Sequence, residues 1–256
     1  MEMNDNLTPE NKYEQMLTIP CYATDASFYL KPASFMDYMQ EIAYLAATRL
    51  HFGYDELQEL HTAWVLSRMH FKFDNPPRWR DTVRLRTWHK GLDGLMFLRD
   101  FRMLDMEGRE LLTATTSWLV INTETRRLVR SDEILDIVPA STQCKDDAIE
   151  ESAPKVVIPK SLEKEKVAEH VVTYSDVDII GHTNNARYMV WAMDCLDYTE
   201  TVSDHVKEVW INFNKETKPG ETVEIFKART EEDGSVFYYV EGLIDGKSAF
   251  CVKIKM

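Results

Sequence analysis

Cysteine is scarce in this chain: four in 256 residues, Cys21, Cys144, Cys195 and Cys251. They are scattered and no two form a C-x-x-C pair, so neither a zinc site nor a disulfide framework is expected. Reduced thiols in a cytoplasmic protein are expected instead. Glycine and proline are also sparse, nine of each, which excludes collagen-like and low-complexity chains. Cations are outnumbered, 30 Lys+Arg against 43 Asp+Glu, for a net charge of −13. No nucleic-acid partner is expected, because phosphate contacts need an excess of cations. No apolar run approaches the ~20 residues of a membrane span. The N-terminal stretch MEMNDNLTPENKYEQ is acidic and polar, unlike a signal or transit peptide. What is left is an ordinary globular composition, 44% apolar and 29% charged, at a length that suits two small domains.

The informative presence is an internal repeat. In residues 33–50, Phe35, Met39, Ile42, Ala43 and Ala46 fall at the i, i+3, i+4 spacing of a helix face, and Pro32 suits a first helical turn. In residues 183–198, Ala186, Met189, Val190, Met193 and Leu196 repeat that face, with Asn184 or Thr183 to cap its start. Tyr38 and Tyr188 occupy comparable places. Each helix precedes four strand-like segments: 64–73, 82–88, 95–104 and 110–122 in the first half, and 206–213, 222–228, 235–243 and 247–255 in the second. Many alternate apolar and polar residues, as a sheet with one buried face requires. The Asx-Gly step Asp93-Gly94 and its counterpart Asp233-Gly234 suit hairpins. The fold class expected is α+β, a tandem hotdog in which a long helix is wrapped by a curved antiparallel sheet twice over. The units are 1–128 and 165–256, joined by a polar, proline-punctuated linker at 129–164. Two joined hotdogs satisfy each other's pairing, so either a monomer or a homodimer fits.

Chemistry concentrates in YSDVDIIGHTNNARY, Tyr174 to Tyr188. Asp178 and His182 stand four apart across a glycine. Gly181 and His182 are read as a helix N-terminus, where free N–H groups and the dipole favour negative charge. An acyl carbonyl placed there is polarised and its oxyanion stabilised by the two peptide N–H groups, while a carboxylate and an imidazole position or activate water. On spacing alone, a capped helix start beside a solvated histidine fits as well. No second or third ligand stands near His182, so neither a metal nor a cofactor is expected.

The motif itself, DVDIIGHTNNARY, resembles the D-x-D-x-x-G-H-x-N-N-x-x-Y pattern of hotdog thioesterases. Further segments narrow the match: WVLSRMHFKFDNPPRWRDTVRLRTW (64–88), RDF (99–101), TATTSW (113–118) and TRR (125–127) are similar to acyl-ACP thioesterases of plant plastids and bacteria. The resemblance covers roughly residues 17–256. It implies hydrolysis of acyl-acyl carrier protein (ACP) to free fatty acid, with catalytic roles at Asp178 and His182 and a carboxylate 34 positions after the histidine, which is Glu216. Two positions depart from the pattern. Thr217 stands where the family often has cysteine, and Ile180 where it commonly has asparagine. The role of that asparagine is lost or passes to Asn184. Aligning Tyr38 with Tyr188 sets Phe28 opposite Asp178 and Pro32 opposite His182, and aligning Thr82 with Thr222 sets Pro76 opposite Glu216. One active site, in the second unit, is therefore expected, with the first unit shaping an acyl pocket.

Phe35, Met36, Met39 and Trp64 are the candidates for that pocket. Docking of an acidic carrier on a chain of net charge −13 requires a local basic patch. Arg78, Arg80, Arg84 and Arg86 supply one, and Arg126 and Arg127 a second.

Overall fold

A computed structural model describes residues 6–136 and 138–256; the first five residues of the acidic N-terminal stretch lie outside them. The first half holds β1 (Tyr13–Thr18), α1 (Pro32–Arg49), α2 (Tyr54–Glu59), β2 (Thr62–Phe73), β3 (Thr82–Asp93), β4 (Met96–Leu104) and β5 (Glu110–Asn122). The second holds β6 (Glu165–Val171), α3 (Asn185–Asp194), α4 (Tyr198–Asp204), β7 (Glu208–Phe213), β8 (Thr222–Glu232), β9 (Ser235–Ile244) and β10 (Lys247–Lys255). All ten strands form one sheet, in the order β1-β3-β4-β5-β2-β7-β10-β9-β8-β6. Each half has the same internal order. The halves meet where β2 and β7 pair antiparallel, Arg68 opposite Asn212 through Lys72 opposite Glu208.

The helices lie where the apolar spacing puts them. Phe35, Met36, Met39 and Ile42 of α1 share one core with Ala186, Met189 and Ala192 of α3 and with sheet residues from both halves, such as Phe71, Phe101, Val209 and Phe250. The second helix is shorter than its periodicity suggests. It stops at Asp194 because Asp197 starts a new helix, its carboxylate accepting from the Glu200 N–H at 2.9 Å. The segment 129–164 is not a loose tether. Its Cys144 N–H donates to the His89 carbonyl at 2.9 Å, its Asp146 carbonyl accepts from Trp88 Nε1 at 2.7 Å, and its Val156 backbone bonds twice to the Asn212 amide.

The two halves match with an offset of 153 residues ahead of the helices, not the 150 that Tyr38 and Tyr188 suggest. Helix α1 starts at Pro32 and α3 at Asn185. The bridge Thr24–Leu30 repeats as Val177–Thr183. The bond from Phe28 N–H to the Asp25 carbonyl, 3.1 Å, repeats as Gly181 N–H to Asp178, 3.0 Å. The counterpart of Asp178 is therefore Asp25 rather than Phe28, that of His182 is Tyr29 rather than Pro32, and that of Tyr188 is Phe35. The two tyrosines coincide in number because both halves place aromatics along a buried helix face. On the sheet side the offset of 140 stands: Leu30 N–H donates to Pro77 as Thr183 N–H does to Thr217, both at 2.9 Å, which leaves Pro76 opposite Glu216.

Candidate active site

The residues 173–184 form a tight turn leading into α3. Asp176 is its anchor. It is 5% exposed, and its Oδ2 accepts from His170 Nε2 at 2.9 Å, the Thr173 N–H at 2.8 Å and Thr173 Oγ1 at 3.0 Å, while Oδ1 accepts from Trp191 Nε1 at 3.3 Å. Asp178 N–H donates to the His182 carbonyl at 2.9 Å, and Asp178 Oδ1 accepts from the Ile180 N–H at 2.9 Å. Gly181 sits at φ +84, which a glycine adopts without steric cost. Asn184 is the N-cap of α3; its Oδ1 accepts from the Ala186 N–H at 2.9 Å and from Gln40 Nε2 of α1 at 3.2 Å.

The helix thus begins three residues beyond His182, and this corrects the expected oxyanion pair. The Gly181 N–H is occupied by the Asp178 carbonyl, because the chain must close the turn before it can enter the helix. The His182 N–H has no acceptor among the described residues and remains the one free donor of the two. Asn184, proposed to carry catalytic work, is engaged as the cap.

Glu216 lies in the loop between β7 and β8, which Thr183 tethers to the turn. Its Oε2 is 3.5 Å from His182 Nδ1 and also accepts from Arg126. Arg126 comes from the turn after β5, in the other half of the chain. Burial pushes the Glu216 carboxyl upward, but the Arg126 hydrogen bond and the neighbouring His182 outweigh it and hold the group below its ordinary value. Arg126 meets Glu216 through Nη2 alone, and its side chain stays 53% exposed. Thr217 points the other way. It is fully buried, with Oγ1 2.5 Å from Thr183 Oγ1 and 3.1 Å from the Tyr188 hydroxyl, so it braces the loop. Ile180 is 60% exposed and only its backbone N–H serves Asp178.

The other candidates separate. Phe35, Met36 and Met39 are at most 1% exposed and pack in the core, where Phe35 meets Phe71 and Phe73 edge-on. Trp64 is half-buried, donating to the Phe52 carbonyl at 3.0 Å. None of the four lines the 630 Å³ cleft described below. Arg86 pairs with Glu14, and half-buried Arg84 reaches the Asp105 carbonyl at 3.4 Å. Arg78 and Arg80 are exposed, lying over the rings of Tyr29 and Trp79 at 4.4 and 4.0 Å, and Arg127 is exposed as well.

Residues 10–138 match the family model of the acyl-ACP thioesterase N-terminal domain, and residues 159–255 match that of the C-terminal domain. The chain belongs to the acyl-ACP thioesterase family. It is 23% identical over 243 residues to oleoyl-acyl carrier protein thioesterase 1, chloroplastic, of Arabidopsis thaliana, covering 87% of this chain and 65% of that one. It is 29% identical over 174 residues to the dodecanoyl-[acyl-carrier-protein] hydrolase, chloroplastic, of Umbellularia californica, covering 63% of this chain and 43% of the relative. The chain thus spans less than two thirds of the length of these curated relatives. Among solved structures, an acyl-ACP thioesterase from Bacteroides thetaiotaomicron superposes with a TM-score of 0.82 at 21% identity, over 96% of this chain and 99% of that one. The 12:0-ACP thioesterase from Umbellularia californica gives 0.82 at 18% identity, over 96% and 93%. These structures establish the shared double-hotdog fold. Asp178, His182 and Glu216 all fall within the residues matched by the C-terminal family model, and Thr217 lies in a buried hydroxyl cluster.

Proposed function

We propose that this chain hydrolyses the thioester of acyl-ACP and releases free fatty acid, with catalysis in residues 165–256, the acyl pocket in residues 1–128 and residues 129–164 joining them. The observation that carries this reading is the approach of His182 Nδ1 to Glu216 Oε2, 3.5 Å, beside a free peptide N–H. A carboxylate on the Nδ1 side holds the proton there and leaves Nε2 as the base, as in other carboxylate–imidazole pairs. A separation of 3.5 Å without substrate is compatible with that role, since catalytic hydrogen bonds are often long until substrate binds. Nε2 takes a proton from water, the hydroxide adds to the thioester carbonyl, and the His182 N–H stabilises the oxyanion. Collapse breaks the C–S bond; the thiolate leaves and takes the proton from His182. Asp178, half-buried and fixed by Ile180 N–H, orients the substrate. No step calls for a metal or cofactor. Exposed Arg78, Arg80 and Arg127 fit an acidic carrier, and four free cysteines fit the cytoplasm.

Thiol release from matched acyl-ACP and acyl-CoA substrates, with Asp178→Asn as control, tests the proposal. Faster release from ACP, lost in the control, supports it. A preference for CoA changes the partner, and no release from either moves the protein to the acyl-binding class.

Arg126 should set the acid side of the pH profile. Glu216 must be ionised to hold His182, and Arg126 keeps its carboxyl low. In Arg126→Ala that carboxyl rises, so the acid limb of kcat/KM moves to higher pH, while Arg126→Lys retains most of the wild-type profile. Because the pair is partly exposed, it contributes less than about 1 kcal/mol and the rate at neutral pH should fall by no more than about fivefold. An unchanged acid limb in the alanine variant would remove Arg126 from the site.

A further inference from the structure

The 153-residue offset relates the turn at Asp178 to a second turn, at Asp25 in the first unit. A cleft of about 630 Å³ opens at the start of α1, against the C-terminal end of α3 and α4. Its lining includes Asp25, Tyr29 and Pro76, which are the repeat counterparts of Asp178, His182 and Glu216. The turn is preserved except for one added bond: the Tyr29 N–H donates to Asp25 Oδ1 at 3.0 Å, where the His182 N–H has no acceptor among the described residues. Asp25 Oδ1 accepts from the Ser27 N–H at 2.8 Å, as Asp178 Oδ1 does from Ile180, and the Asp25 N–H reaches the Tyr29 carbonyl at 2.9 Å, as Asp178 reaches His182. Preservation has a cost. Phe28 holds φ +69 at the place of Gly181, a left-handed conformation that disfavours a bulky side chain by about 1–2 kcal/mol. What has been removed is the chemistry: Tyr29 lies under Arg78 and against His205, both at 4.4 Å, and Pro76 has no carboxylate.

We propose that this cleft is a second acyl site, which holds a fatty acyl chain without cleaving it. The inference rests on the reading that the chain acts on acyl thioesters. The frame is that of the catalytic turn, and the volume lies within the range of small-molecule sites, roughly 300–1,000 Å³. The floor is hydrocarbon: Leu30, Ala33, Phe73 and Val206. Two lining residues carry buried polar atoms with no hydrogen-bond partner among the described residues, the Tyr38 hydroxyl and His205 Nδ1. Such atoms are costly to leave unmatched; both are closed to the cleft, so each meets the polar end of a ligand after a side-chain rotation. Burial pushes the Tyr38 hydroxyl to about 12, so it stays a donor for a carboxyl or carbonyl oxygen. Exposed Lys31 stands at the rim.

Calorimetric titration of the whole chain with dodecanoate tests this directly. Two molecules per chain are expected in the wild type. Ser34→Trp on α1 and Thr201→Trp on α4 fill the cleft from opposite walls; each should bind one, with thioester turnover within about twofold of wild type. One molecule per chain throughout, or two in the filled variants, overturns the site. Photo-crosslinking of the wild type with a diazirine fatty acid needs no variant: labels on residues 22–38 and 190–206 support the site, and labels confined to 174–189 and 207–217, or none, overturn it. Repeating the titration with the N-acetylcysteamine thioester of dodecanoate in Glu216→Gln separates a site for any acyl group from one for the free acid alone. Two bound dodecanoates without turnover of any thioester would sustain this site and remove the hydrolase reading; turnover with a single bound molecule would do the reverse.

Discussion

Glu216→Gln is expected to lower kcat/KM for an acyl thioester by about 10²–10⁴-fold, the range over which a positioned acid–base group contributes. That corresponds to roughly 3–5 kcal/mol of transition-state stabilisation. The amide keeps the shape of the side chain but cannot hold a proton on His182 Nδ1 across the 3.5 Å gap. His182→Ala should cost a similar factor, and the double variant little more, because the two groups act as one unit and their losses are not additive. Folding should be unaffected in both. Glu216 and His182 are 33% and 22% exposed at their side chains and bind Arg126 and each other rather than the core. The measurements are initial rates with a single acyl-ACP and thermal unfolding of each variant. If Glu216→Gln retained turnover within about threefold of wild type while His182→Ala did not, the base would have to be activated from the other side, by Asp178. Thr217 does not enter this account, since its hydroxyl is consumed by Thr183 and Tyr188.

Much of this architecture was legible because strands and helices differ in period. The α1 face at Phe35, Met39, Ile42 and Ala46 was read within a residue of its observed bounds, and β5 and β10 at their observed bounds. Joining the halves through β2 and β7 was not legible, since edge pairing depends on which strands are left unpaired rather than on any local pattern. The repeat register went astray for a related reason. Tyrosine recurs on buried helix faces, so two tyrosines are weak markers, whereas the left-handed residue of each turn, Phe28 or Gly181, is a strong one. Only the glycine is visible as such in a sequence. The proposed catalytic pair separated the same way. The resemblance to the family marked both His182 and Glu216, but Arg126 reached the site from the opposite half of the chain. Its basic cluster read as surface charge because a sequence does not say which cation meets a carboxylate ninety positions away. The free N–H at His182 was expected and that of Gly181 was miscounted, for want of the turn bond to Asp178.

Asp176→Ala is expected to destabilise the chain by about 3 kcal/mol, which for a chain of this size lowers Tm by roughly 6–12 °C. The carboxylate accepts from the Thr173 N–H and hydroxyl, His170 and Trp191; removing it leaves Trp191 Nε1 unmatched in a buried place and breaks three part-buried bonds that hold the turn. Burial alone would raise the Asp176 carboxyl, but His170 and then Thr173 outweigh it and hold the group below its ordinary value. A carboxyl depressed in the folded state stabilises fully above its unfolded value and loses that contribution as pH falls through the folded one. The gap in Tm between wild type and Asp176→Asn should therefore be widest near neutrality and shrink in acid; a gap independent of pH would mean that the charge is not what matters. The first unit shows why this anchor serves the site rather than the fold. Under the repeat, Ala23 stands where Asp176 does; it is 2% exposed and makes the same turn. An alanine in an apolar niche leaves no donor unmatched and needs no carboxylate. Asp176 ties the turn to Trp191 of α3, and this tie keeps His182 in reach of Glu216. In the variant, turnover measured well below its Tm should fall along with stability, because the turn persists but its orientation is no longer held.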